Sequence, residues 1–159
     1  MTRQALRRLG RLNAEQRLAL VGVAVVFASL FLPWWRSPTN DNLVLTGWGD
    51  FGPVEAALLL TAGAVLFLLV EVAAGYVPPR PLREWGLLIA GGAWAALIVV
   101  YRMFDRPEFT LGGADDPYEL HYGIIVALGG AALIFAAGLR RRWDEAPREI
   151  ERPAERPRA

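Results

Sequence analysis

The chain has no cysteine, no lysine and a single histidine, His121. Without cysteine there is no disulfide framework, no thiolate metal site and no thiol nucleophile. One histidine cannot complete the nitrogen and sulfur ligand set of a structural zinc site. The sequence also lacks a glycine-rich phosphate loop, an HExxH pair and a serine, histidine and aspartate grouping. Catalytic, cofactor-binding and metal-binding residues are therefore expected to be none, and an enzyme is not expected. Charge is missing in a positional sense too: no acid, base or histidine falls in the middle of any long apolar stretch. That disfavours a proton-coupled pump, whose carriers are titratable groups inside the membrane.

Four apolar stretches dominate what is present: Leu18–Leu32, Val54–Val70, Trp85–Tyr101 and Leu120–Leu139. A bilayer core of about 30 Å is crossed by roughly 20 mostly apolar helical residues. With their polar flanks, these stretches predict spans at about 14–32, 53–74, 82–103 and 117–142. The expected fold is an all-α membrane protein, four transmembrane helices in an antiparallel bundle. A basic segment, 1–13, precedes the four-helix domain, 14–142, and a charged, proline-rich tail, 143–159, reads as disordered. Every basic residue is arginine. Fourteen of the seventeen lie in the N-terminal segment, the loop between the second and third spans, and the C-terminal tail. Positive charge stays inside, so both termini are expected to be cytoplasmic, in a bacterial inner membrane. A cleaved signal peptide competes for the first span, but Pro33-Trp34-Trp35 follows it with no small-x-small cleavage site.

The helix starts carry their own signals. Asn13 with Gln16 three residues on reads as a capping pair, and Pro33 stops the first span. Gly52-Pro53-Val54-Glu55 places a cap, a proline at the first helical position and an acid in the first turn, and Asp116-Pro117-Tyr118-Glu119 repeats the arrangement. Trp34, Trp35, Trp48, Tyr101, Tyr118 and Tyr122 gather at the outer boundary, where amphipathic rings are best satisfied. The loop from Pro33 to Gly52 is expected to pack its tryptophans on the end of the third helix.

Glu55, in the first turn of the second helix, and Arg102, in the last turn of the third, share one depth. Charges in a membrane pair or line a wet cavity, so an ion pair is predicted, with Asp105 competing for the arginine. The alternative is that Glu55 only complements the helix dipole and Arg102 snorkels to the headgroups. Glu71 has Arg80 or Arg83 as candidate partners. His121 beside Glu119 is taken as an interfacial histidine, and the acidic stretch Glu108–Glu119 as helix capping more than a cation site. Helix packing is assigned to small residues: Gly91 with Ala95, Gly92 with Ala96, and Gly123, Ala127 and Ala131. These faces serve either packing within the chain or a homo-oligomer. Arg140, Arg141 and Arg142 are expected to contact anionic lipid at the cytoplasmic face.

Leu32-Pro33-Trp34-Trp35, Thr46-Gly47-Trp48-Gly49-Asp50-Phe51-Gly52 and Tyr101-Arg102-Met103-Phe104-Asp105 resemble a group of small, uncharacterised four-span membrane proteins of actinobacteria. The resemblance covers the membrane portion and not the tails, and Glu55 stands where that group usually has an acid. Arg106-Pro107 departs from the group's usual Pro-Pro. The resemblance implies topology and source, and it implies no activity. The leading expectation is a non-enzymatic accessory or structural protein acting through helix–helix or lipid contacts, with a homo-oligomer or a membrane protein as partner and no nucleic acid. The alternative is an oligomeric small transporter or channel component whose outer entrance lies near Glu55 and Arg102.

Overall fold

Asn13 opens the first helix: its backbone N–H donates to Gln16 Oε1 at 2.9 Å, one half of a reciprocal cap that satisfies a donor the helix cannot. This helix, α1, runs Ala14–Ser29 in a computed structural model that describes residues 12–37, 43–49, 51–79, 83–105, 110–111, 114–115 and 118–150. The segment before Leu12, the candidate partner Arg80, the cap Asp116-Pro117 and the tail beyond Ile150 lie outside the described residues. Past Ser29 the chain tightens: Leu30, Phe31 and Leu32 each donate to a carbonyl three residues back, at 3.3, 3.1 and 3.0 Å. Pro33 then starts strand β1, Pro33–Arg36, which pairs antiparallel with β2, Val44–Thr46.

The second helix, α2, spans Pro53–Ala73 and the third, α3, Glu84–Phe104. Between them Gly75 takes a φ of 98°, the left-handed conformation that glycine adopts without a Cβ penalty. Two-residue strands follow, β3 at Thr110–Leu111, β4 at Ala114–Asp115 and β5 at Glu119–Leu120, before the last helix, α4, Tyr122–Ile150. The strands β2, β1 and β5 form one small sheet in that order, and β3 pairs with β4. The protein is mostly helical. Three helices, α2, α3 and the Tyr122–Glu145 part of α4, are long and apolar enough to cross a membrane; α1 has 16 residues.

Three features differ from the sequence reading. The fold is not all-α, because the segment expected to be an irregular outer loop forms the sheet. The fourth helix starts at Tyr122 and not near residue 117. Leu120 and Glu119 pair with Trp35 and Arg36, and His121 N–H donates to the Trp34 carbonyl at 2.9 Å. Sheet pairing thus takes the backbone groups that a helix start would have used. At its other end α4 continues past Arg142 to Ile150, so the first part of the tail expected to be disordered, 143–159, is helical instead. Arg141 and Glu145, one turn apart, approach to 3.1 Å and support that extension.

Glycines govern the packing. α4 lies between α1 and α3, and backbone meets backbone on both sides. A Cβ on Gly22 would fall 2.7 Å from the Gly130 carbonyl oxygen, and one on Gly138 would fall 2.7 Å from Ile89 N. Lipid gives helices no hydrophobic reason to associate, so close approach and van der Waals contact must do it. Gly92 of α3 abuts the backbone of Phe135, and Gly91 faces Val65 of α2. Ala95, Ala127 and Ala131 are buried in the core, with Ala96 packed against it. Gly123 does not face a helix: it admits Pro33 and Trp34 of β1, whose carbonyl oxygen at Pro33 would lie 2.5 Å from a Cβ there. Leu60 and Phe67 of α2, Trp94 and Leu97 of α3 and Ile125 of α4 point outward, the apolar surface that a membrane-crossing helix carries.

Candidate functional site

At the sheet end, three elements deliver one polar cluster. The extended backbone at Gly52 and the proline at the start of α2 set Glu55 in the first turn, where its Oε2 accepts the Gly52 N–H at 2.9 Å. Its other oxygen, Oε1, accepts Arg102 Nε–H from the last turn of α3 at 2.8 Å. Glu55 is 1% exposed and Arg102 7%. Arg102 Nη1 also donates to the Asp105 carbonyl, and the Asp105 carboxylate lies 3.5 Å away. Strand β1 closes one side of the cluster. The Trp35 ring, fully buried, sits under the Arg102 guanidinium with 5.5 Å to its centroid, a cation–π contact in a desolvated place. Trp34, also buried, donates from Nε1 to the Ser29 carbonyl at 2.7 Å and fixes β1 to the end of α1.

Both carboxylate oxygens of Glu55 have donors, and Arg102 is bound to Glu55 and to the Asp105 carbonyl. A hydrogen-bonded pair is the form in which buried charge is tolerated. His121 lies half-buried at the same end, its ring 4.6 Å from that of Tyr122, and its Nδ1 has no hydrogen-bond partner among the described residues.

The opposite end holds a second cluster that the sequence did not reveal. Gln16 Nε2 donates to Glu84 Oε1 at 2.7 Å, with both residues buried, so α1 and α3 are joined across 68 residues. Arg141 of α4 lies 3.7 Å from Glu84 Oε2 and 3.1 Å from Glu145 Oε1, and Arg83 reaches Glu145 Oε2 at 4.0 Å. Arg141 Nε is not aimed for a hydrogen bond, so its contact with Glu145 is ionic. The three consecutive arginines therefore divide. Arg140 is exposed, Arg141 is turned into the protein, and Arg142 lies 5.4 Å over the Trp85 ring. Glu71 is half-buried. The only sequence signals here were Gln16 at a cap and Glu84 in a first turn, and neither announces a partner on another helix.

Glu84→Ala is expected to cost about 1–3 kcal/mol, because it strands the buried Gln16 amide. Detergent-titrated unfolding of the purified protein measures it, and Gln16→Leu combined with Glu84→Leu should recover most of the loss. No group of three or more histidine, cysteine, aspartate or glutamate residues able to hold a metal occurs among the described residues. Comparison with protein-family models gave no match to this chain, and neither the curated proteins nor the solved structures include one similar to it.

Proposed function

We propose that this chain is a non-enzymatic accessory or structural protein of a bacterial cytoplasmic membrane, with four spans, both termini inside, acting through helix–helix and lipid contacts. The observation that supports this reading most is the closure of the sheet-end charges on one another. A substrate entrance keeps charge available to what passes, whereas Glu55 spends both oxygens on Gly52 and Arg102. The fourth span is assigned to α1 because its Gly22 meets Gly130 in the middle of α4, so α1 runs beside a helix able to cross a bilayer. Arginine distribution supports the orientation. Arg140 and Arg142 serve as the anionic-lipid contacts, and Arg141 has a structural task instead.

The transport alternative draws on one feature, an open groove of about 270 Å³ between α2 and α3 lined by Pro53, Ala57, Trp94, Ile98 and Tyr101 among others. Its apolar walls suit hydrocarbon and offer nothing to an ion. Native mass spectrometry of the protein, extracted in nanodiscs with its own membrane, is expected to show a stoichiometric second polypeptide; a homo-oligomer, or a monomer carrying one defined lipid or small molecule, would move the reading to transport or lipid handling. Substrate-dependent flux in proteoliposomes that Glu55→Ala abolishes would overturn the accessory reading in favour of transport.

A further inference from the structure

One surface feature is used neither by the polar clusters nor by the helix packing. Phe27, Phe31, Trp48 and Phe51 form a continuous ladder of rings. Successive centroids are 5.5, 5.8 and 5.2 Å apart, and the Phe31 and Trp48 planes are inclined by only 12°. All four are about half exposed, at 49, 56, 50 and 48%. The first two belong to α1 and its tightened end; the last two belong to the turn between β2 and α2. Leu43 and Val44, at the edge of the sheet, are exposed too. A surface of this kind over water is a liability for a sheet edge.

The apolar part of α1 with its tight turn runs Leu18–Leu32, 15 residues, roughly 24 Å at helical rises. That falls short of the bilayer core of about 30 Å by about one helical turn. The ladder continues the apolar surface of α1 beyond that end without a break. Three backbone N–H groups beside the rings are paired, as a water-poor place requires, where unpaired groups are costly. Trp48 N–H donates to the Leu30 carbonyl at 2.8 Å, Gly49 N–H to Thr46 Oγ1 at 2.9 Å, and Gly52 N–H to Glu55 at 2.9 Å.

We propose that the turn carrying Trp48 and Phe51 is a membrane-interface element, its rings seated in the headgroup and acyl boundary of the leaflet at the sheet end. The partner is lipid, because the ladder is continuous with the lipid-facing side of α1 and because Trp and Phe rings favour that layer. The turn thus lies in the bilayer surface and completes the short first span. This inference rests on α1 being a span.

The chain has no native cysteine, so single cysteines at 27, 31, 48 and 51 can carry spin labels in proteoliposomes without further change. A label at exposed Glu119 serves as the reference for the aqueous side. At 48 and 51, oxygen is expected to broaden the signal at least threefold more than a water-soluble nickel chelate does, with position 27 deeper still. Chelate access at 48 and 51 equal to that at 119, with 27 still oxygen-accessible, overturns the interface element and leaves the span intact. Chelate access at 27 as well overturns the span itself. Labels at 48 and 51 shielded from both reagents mean that protein covers the ladder, which also overturns the proposal. Independently, lipids brominated near the headgroup should quench the unlabelled chain more than they quench Trp48→Phe; equal quenching counts against the proposal.

Discussion

Arg102→Ala is expected to destabilise the protein by about 3–5 kcal/mol, the cost of removing one member of a buried ion pair. The alanine variant leaves Glu55, 1% exposed, with only the Gly52 N–H as donor, and the carboxylate has no route to water. Glu55→Ala should cost less, since the arginine it strands keeps the Asp105 carbonyl and the Trp35 ring. Glu55→Leu with Arg102→Met should recover most of the loss, because two apolar groups of similar volume leave nothing unpaired. The exchanged pair, Glu55→Arg with Arg102→Glu, should recover only part, since arginine at 55 cannot accept the Gly52 N–H. Dodecyl sulfate titration in mixed micelles, followed by tryptophan fluorescence, reads all four. If both single alanine variants lose under about 1 kcal/mol, the pair is hydrated and the closure argument for an accessory role loses its basis.

Gly92→Val is expected to prevent native packing of α3 on α4, and Gly92→Ala to cost at least about 1–3 kcal/mol, the usual range for overpacking a filled core. Of the helical glycines, Gly92 has the tightest surroundings: its missing side chain is replaced by the backbone of Phe135, which cannot rotate away. Gly63 and Gly129 are the internal controls. Nothing lies within 4 Å of a Cβ built on either, so alanine there should change stability by no more than about 0.5 kcal/mol. Thermal unfolding of the four variants in one detergent separates them. A Gly63→Ala loss as large as that of Gly92→Ala would mean that the outward face of α2 is packed against another protein.

Much of this fold could be read from local residues. Gly52-Pro53-Val54-Glu55 marks the start of α2, and the helix begins at Pro53. Glu55 and Arg102 can be set at one depth because each lies within a turn of a helix end. The structure puts them 2.8 Å apart. The sheet is not legible in Pro33, which signals only a helix stop. Leu43-Val44-Leu45-Thr46, separated from Trp34-Trp35-Arg36 by residues of turn-forming type, is the one hairpin signal for it. The start of α4 differs from its cap motif because such a motif is local, while the pairing of Glu119 and Leu120 with Arg36 and Trp35 spans more than eighty residues. The Gln16, Glu84 and Arg141 cluster failed to show for the same reason: no spacing along the chain encodes three helices meeting at one end.

The central position of α4 has a consequence for biosynthesis. Its partners α1 and α3 are made first, and their surfaces at Gly22, Gly92 and Ile89 wait for it. At a synthesis rate of roughly 5–20 residues per second, α1 stays without its main neighbour for on the order of ten seconds. During that interval α2 and α3 can close as a hairpin through Glu55 and Arg102, while the glycine face of α1 stays uncovered. A chain cut short before Tyr122 would keep the Glu55–Arg102 pair and yet lack the helix on which both α1 and α3 pack.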